Sequence, residues 1–176
     1  MNARKIFVVL TLAVLPLGSA LPASAGPGDT TATVTVTPGS LTITVPASAG
    51  TLASGVSSVN GGTISGSLGE VQVNDARGAA AGSGWVATVI STAFTPPAGP
   101  TIGAAAVGYV AGAIAKVGTA TFVANNPTAI GGALPAVTAS GITGQNSATW
   151  TPTINITLLG STAAGNYTGT ITHSVS

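Results

Sequence analysis

The sequence predicts an all-β protein, an antiparallel β-sandwich placed behind an export signal. Three observations carry this. Short runs alternate β-branched or apolar residues with threonine, as in Thr33-Val34-Thr35-Val36-Thr37 and Leu41-Thr42-Ile43-Thr44-Val45. Clusters of Gly, Pro and Asn punctuate those runs, and no persistent helical period appears anywhere beyond the first residues. A period of two places the valines, leucine and isoleucine on one face of a strand and the threonines on the other, which is the pattern of a sheet buried on one side.

The elements follow in order. Met1 to Ala25 has the parts of a secretory signal. Arg4 and Lys5 form the positive start, residues 6–15 an apolar run, and Ala23-Ser24-Ala25 offers the small residues accepted at a cleavage site. Cleavage is expected between Ala25 and Gly26. The apolar run is far shorter than the roughly 20 residues needed to cross a bilayer, so no stable membrane span is expected after cleavage. Residues 26–32 form a short N-terminal segment, and residues 33–176 a single sandwich domain. Strands are expected at 33–37 and 41–45 with Pro38-Gly39 turning between them, then at 63–68, 71–75, 85–94, 118–123, 154–159 and 167–175. Asn60-Gly61 is a dipeptide favoured in tight hairpin turns. The alanine-rich stretch 102–115 resembles a helix in composition, but its three glycines, Gly103, Gly108 and Gly112, each cost a helix about 1 kcal/mol. A strand around Val107–Val110 within irregular chain fits it better.

Charge excludes more than it suggests. Beyond residue 25 the ionisable side chains of acids and bases are Asp29, Glu70, Asp75, Arg77 and Lys116, with His173 the one histidine. The balance is two positive against three negative, and no basic patch exists for a phosphate backbone; nucleic acid is not an expected partner. Hydrolytic and transfer chemistry needs converging acids, bases, nucleophiles or metal ligands, and this inventory does not supply them. Glu70 and Asp75 fall on opposite faces of their strand, which argues against a paired-carboxylate site. There is no Gly-x-Ser-x-Gly elbow and no cysteine. No catalytic residue, cofactor or metal site is expected. Without cysteine, neither a disulfide framework nor lipid attachment at a cysteine is available. With no hydrophobic or basic tail near Ser176, covalent sorting to a wall is not expected either.

The densest group of unusual residues is Val71-Gln72-Val73-Asn74-Asp75-Ala76-Arg77-Gly78, followed by Gly84-Trp85. Val71, Val73 and Asp75 share one strand face, and Arg77 continues that parity into a glycine- and alanine-rich turn. Read functionally, Trp85 offers a ring for sugar stacking, with acid and guanidinium for hydroxyl groups. Read structurally, Trp85 is a core residue and Asp75 and Arg77 form a local pair that ties down the turn at Gly78. The structural reading is adopted, because tryptophan in a small sandwich is generally core. His173 shares parity with Ile171 and Val175 and is expected to be hydrogen-bonded structure. Trp150, ahead of a strand, fits either a strand anchor or an exposed ring.

These motifs carry a resemblance. The run Val71-x-Val73-x-Asp75-x-Arg77-Gly78, then Gly84-Trp85-x-x-x-Val89, and the late Tyr167-Thr168-Gly169-Thr170-Ile171-Thr172 resemble the WxL domain of Gram-positive surface proteins. The likeness is greater still to secreted WxL-like β-sandwich proteins of actinobacteria. It covers most of the chain from about Leu41 onward, in scattered short motifs. The resemblance implies an all-β domain of a bacterial cell surface, held non-covalently at peptidoglycan or another wall polymer. Ala87 stands where the motif has leucine, and Thr172-His173-Ser174-Val175 stands where a second tryptophan motif is expected. A self-associating extracellular subunit, paired through threonine-rich edge strands, is the rival expectation.

Overall fold

A computed structural model describes residues 31–55 and 58–176. Their order is β1 (Leu41–Thr44), β2 (Gly62–Ser67), β3 (Val71–Ser91), a single 3-10 turn at Ala104–Ala106, β4 (Val107–Val110), β5 (Ile114–Ala124), β6 (Leu134–Trp150), β7 (Thr153–Leu158) and β8 (Ile171–Val175). All pairings are antiparallel. The larger sheet runs β1-β3-β6-β5, with β8 also on β3, and the smaller runs β2-β7-β4. β1 lies along the first part of β3 and β8 along its last part. The two sheets share one core: Val71, Val73, Trp85, Val137 and Ile142 from the larger meet Val107, Tyr109, Ile154 and Ile156 from the smaller. This is the antiparallel β-sandwich that alternation predicts. Val36–Ser176 is one compact unit. The signal peptide at 1–25, its Ala25–Gly26 junction and Asp29 lie outside the described residues.

Alternation locates β1, β2, β7 and β8 to within a few residues, and the cost of glycine in a helix points to β4. Three expectations are corrected. Residues 33–37 form no strand: they pair with no other described residue and are exposed. Favourable propensity does not make a strand without a neighbour to accept its hydrogen bonds. Residues 76–84 are not a turn between two strands. β3 runs through them without reversing, and its register against β6 slips between Asp75 and Ala79, Ala79 and Ser83, and Ser83 and Trp85. Gly78 (φ 62°) and Gly82 (φ 88°) adopt the left-handed conformation that such bulges use. Residues 85–94, in turn, stop being a strand at Ser91, and Phe94 meets only Ile102 in an isolated bridge.

The sequence reading also lacks β6, the strand at the centre of the larger sheet. Its inward positions Ala136, Ala139 and Ala148 are small, and Gly141 and Gly144 (φ 63° and 74°) break its alternation. β6 nevertheless bonds β3 on one side and β5 on the other over most of its length.

Candidate functional site

β3 points Val71, Val73 and Asp75 inward, and all three are fully buried at 0% exposure. A carboxylate in that position is costly unless it is paired and hydrogen-bonded. Arg77, two residues along the same strand, turns its guanidinium back onto it. Arg77 Nε donates to Asp75 Oδ1 at 2.8 Å and Nη2 to Oδ2 at 3.0 Å, a side-on bidentate pair. The Arg77 backbone N–H donates to Oδ1 at 3.1 Å. The register sets Asn146 of β6 directly opposite Asp75, and Asn146 Nδ2 donates to Oδ2 at 3.1 Å.

Asn146 has a second duty. Its Oδ1 accepts the indole N–H of Trp85 at 2.9 Å. Trp85 is 2% exposed, with its ring 5.7 Å from that of Phe122 on β5. The chain of bonds therefore runs from Trp85 through Asn146 to Asp75 and out to Arg77. Arg77 is 36% exposed on its side chain and also donates to the Gly84 carbonyl at 3.2 Å, across the bulged segment. Hydrogen bonds from Arg77 hold the Asp75 carboxyl below its ordinary value against the opposing effect of burial, and Asp75 raises Arg77. Among the described residues, no buried side-chain nitrogen or oxygen lacks a partner.

The structure thus brings together Asp75, Arg77 and Trp85 of the sequence motif, and Gly78 supplies the bulge beside them. As chemistry, the arrangement is closed. Asp75 accepts four hydrogen bonds and is 0% exposed. Arg77 and Gly78 line a surface depression, about 290 Å³ in volume, with Val36, Thr37, Pro38 and Gln145 around it. A second cleft of about 340 Å³ lies over the smaller sheet, where Thr63, Asn126, Thr128, Asn155 and Thr157 contribute hydroxyls and amides and no charge.

A second polar cluster joins the two sheets. Trp150, at the end of β6, donates its indole N–H to the Tyr109 hydroxyl of β4 at 2.7 Å. That hydroxyl lies 3.2 Å from His173 Nε2 on β8, and the two rings meet edge to face at 5.6 Å. Burial pushes the Tyr109 phenol up to about 12 and the His173 imidazole down to about 4. Neutral imidazole can accept the phenol proton in a hydrogen bond, which orients Tyr109 to accept from Trp150. His173 is therefore hydrogen-bonded inside the sandwich, and Trp150, at 2% exposure, anchors its strand.

Glu70 and Lys116 are exposed. No three His, Cys, Asp or Glu side chains converge as metal ligands among the described residues, and no helix there is long and apolar enough to cross a membrane. Sequence reasoning missed Asn146 and Tyr109. One signal was available: each buried tryptophan carries an N–H that needs a partner, and each of these residues supplies one. No protein-family model, no curated protein and no solved structure matches the chain.

Proposed function

We propose that this chain is a non-enzymatic, exported β-sandwich that resides outside the cell, held non-covalently at peptidoglycan or another wall polymer. The observation that supports this reading best is the saturation of Asp75. The acid of the motif is held inside the fold by Arg77 and Asn146, which supports a structural role for it over an acid–base one. The export signal and the resemblance to WxL-like proteins supply the address.

Wall contact falls to the depression beside Arg77. There an exposed guanidinium edge, the Thr37 hydroxyl and the exposed Gln145 amide present donors to a polymer rich in hydroxyl, amide and carboxylate groups. The test is fractionation of the producing cells, then sedimentation of the exported protein with purified peptidoglycan. The protein is expected in the wall fraction, with an intact mass beginning at Gly26. Gln145→Ala should weaken sedimentation and leave the melting temperature in place. A protein that stays in the supernatant at every wall concentration defeats the reading.

A second reading, self-association outside the cell through sheet edges, has one observation in its favour. β5 ends the larger sheet and no described strand pairs with its outer side.

A further inference from the structure

The open side of β5 has a complement in the same sequence. We propose that residues 32–37 of one copy add as a strand to the β5 edge of another copy, linking subunits head to tail. This rests on the self-association reading and names the surfaces through which it occurs.

The acceptor comes first. The register of β5 against β6 is continuous from Thr121 to Ala124, and the adjoining Asn125 N–H bonds the Ala136 carbonyl at 2.9 Å. In an antiparallel ladder the bonded positions alternate. Thr121 and Val123 therefore bond toward β6, while the N–H and C=O groups of Phe122 and Ala124 point to the open side. Sheets blunt such edges with charges, prolines or bulges. On β5 the devices, Lys116, the bulge at Gly118 and the slip between Thr119 and Thr121, all precede the continuous stretch Thr121–Ala124. The second half reads Thr119-Ala120-Thr121-Phe122-Val123-Ala124, with no charge and no proline. Its inward residues Ala120, Phe122 and Ala124 pack on the core yet stay only partly buried, with no described strand beyond them.

The donor is the segment Ala32-Thr33-Val34-Thr35-Val36-Thr37. It alternates strictly, has no charge, and pairs with no other described residue. Val34 is 85% exposed and Val36 86%. Laid along β5 with its valines inward, it covers the open flanks of Ala120, Phe122 and Ala124 and leaves its threonines in water. Propensity, pattern and unmet hydrogen bonds agree on both sides.

A chain cannot satisfy its own edge this way. The segment is tethered at Gly39, whose N–H bonds the Ala76 carbonyl on the β1 side of β3. β5 lies three strand positions away, about 14 Å at ~4.8 Å per step, which uses four or five residues at ~3.3 Å each. Val34 and Val36 would fall on the crossing and not on β5. Between copies there is no such limit. The donor's tether at Gly39 lies on the β1 side of the larger sheet and the acceptor β5 is at the other end of its strand order, so the contact is heterologous and propagates into open chains.

Sedimentation velocity on the exported protein over a concentration series tests this with two variants. Val34→Asp/Val36→Asp spoils the donor at two exposed positions that belong to no strand. Ala124→Pro removes an outward N–H from the acceptor, a substitution edge strands accept where that N–H faces solvent. The natural protein should show mass rising with concentration, and each variant alone should remain monomeric. An equal mixture of the two should give a heterodimer and nothing larger, since only one productive joint is left. A synthetic peptide of residues 31–38 should shorten wild-type chains, which serves if Ala124→Pro fails to fold. A donor variant that assembles like wild type, or a peptide without effect, overturns the proposal while leaving self-association by another surface standing. A wild-type protein monomeric at every concentration overturns both.

Discussion

Asn146→Ala tests the internal network most directly, because this one amide holds both the tryptophan and the acid. Its loss leaves the Trp85 indole N–H, 2% exposed, with no acceptor. An unsatisfied buried donor costs about 1–3 kcal/mol. It also removes one of the donors to the fully buried Asp75, and a hydrogen bond to a charged group contributes about 1.5–3 kcal/mol. Arg77 still holds both carboxylate oxygens, so the ion pair survives and the acid is not orphaned. The expected loss is therefore about 3–5 kcal/mol, a large share of the roughly 5–15 kcal/mol that holds a domain together. For a unit of this size that corresponds to a fall in Tm of roughly 10–20 °C. Thermal and urea melts of the purified protein read it. A double-mutant cycle with Trp85→Phe isolates the shared bond: with the indole N–H gone, Asn146→Ala should cost about 1 kcal/mol less than in the parent. A change under about 0.5 kcal/mol for Asn146→Ala, the range of an ordinary surface position, would refute the argument that the network is dry and obligatory.

Three further outcomes follow from the same packing. Trp85→Ala removes a ring packed against Phe122 and should cost about 3–5 kcal/mol; a variant that melts normally but no longer sediments with wall would make Trp85 a binding residue instead. Gly118→Ala meets two obstacles, since Gly118 has φ 88° and an added Cβ would lie 2.5 Å from the Gln145 carbonyl oxygen and 3.1 Å from Asn146. It should destabilise by at least about 1–2 kcal/mol, the cost of a left-handed alanine alone, and unchanged chemical denaturation would sink that reading. Burial holds the folded His173 imidazole at about 4 against an ordinary 6.5, so the unfolded chain binds the proton first. Stability should be intact above pH 6.5 and decline as pH falls toward 4. Tm measured across that range should slope in the wild type and flatten in His173→Gln, whereas the depressed Asp75 adds its loss only at lower pH; a flat wild-type profile contradicts the assignment.

Strand signals were legible wherever one face of a strand is buried in an unbroken register. Leu41–Thr44 and Thr153–Leu158 pair without slips, and their sequences alternate without slips. Leu134–Trp150 was illegible for the converse reason. Its buried apolar residues include Ala136, Val137, Ala139, Ile142 and Ala148, a spacing that changes parity between Ala136 and Val137 and again between Ala139 and Ile142. A search for period two reads such a strand as loop. Val34 and Val36 show the opposite failure, since the cleanest alternation in the chain carries no strand among the described residues. Periodicity reports what a segment is suited to, and only the rest of the fold decides whether a partner is present.

The candidate site divides along the same line. Asp75, Arg77 and Trp85 stood out because charges and tryptophans are scarce in this chain, and scarcity is visible in sequence. Asn146 did not, because an asparagine among Gln145, Ser147 and Thr149 looks like surface. What gives it its place is a property of three strands at once. β3 slips its register between Asp75 and Trp85, β6 carries left-handed Gly141 and Gly144 opposite that stretch, and β5 slips around Gly118 beside them. Irregularities in neighbouring strands must be accommodated together, since an extra residue in one ladder displaces the next. The bulges in β3 let Arg77 fold back on Asp75 and reach the Gly84 carbonyl, closing the irregular segment with side-chain bonds where ladder bonds are lost. Asn146 then fastens the far strand to the same carboxylate. Asp75 and Arg77, one acid and one base of a charge-poor chain, thus sit where the sheet is least regular. There a buried carboxylate can replace missing backbone acceptors, and the acid serves the fold because the bulge needs it.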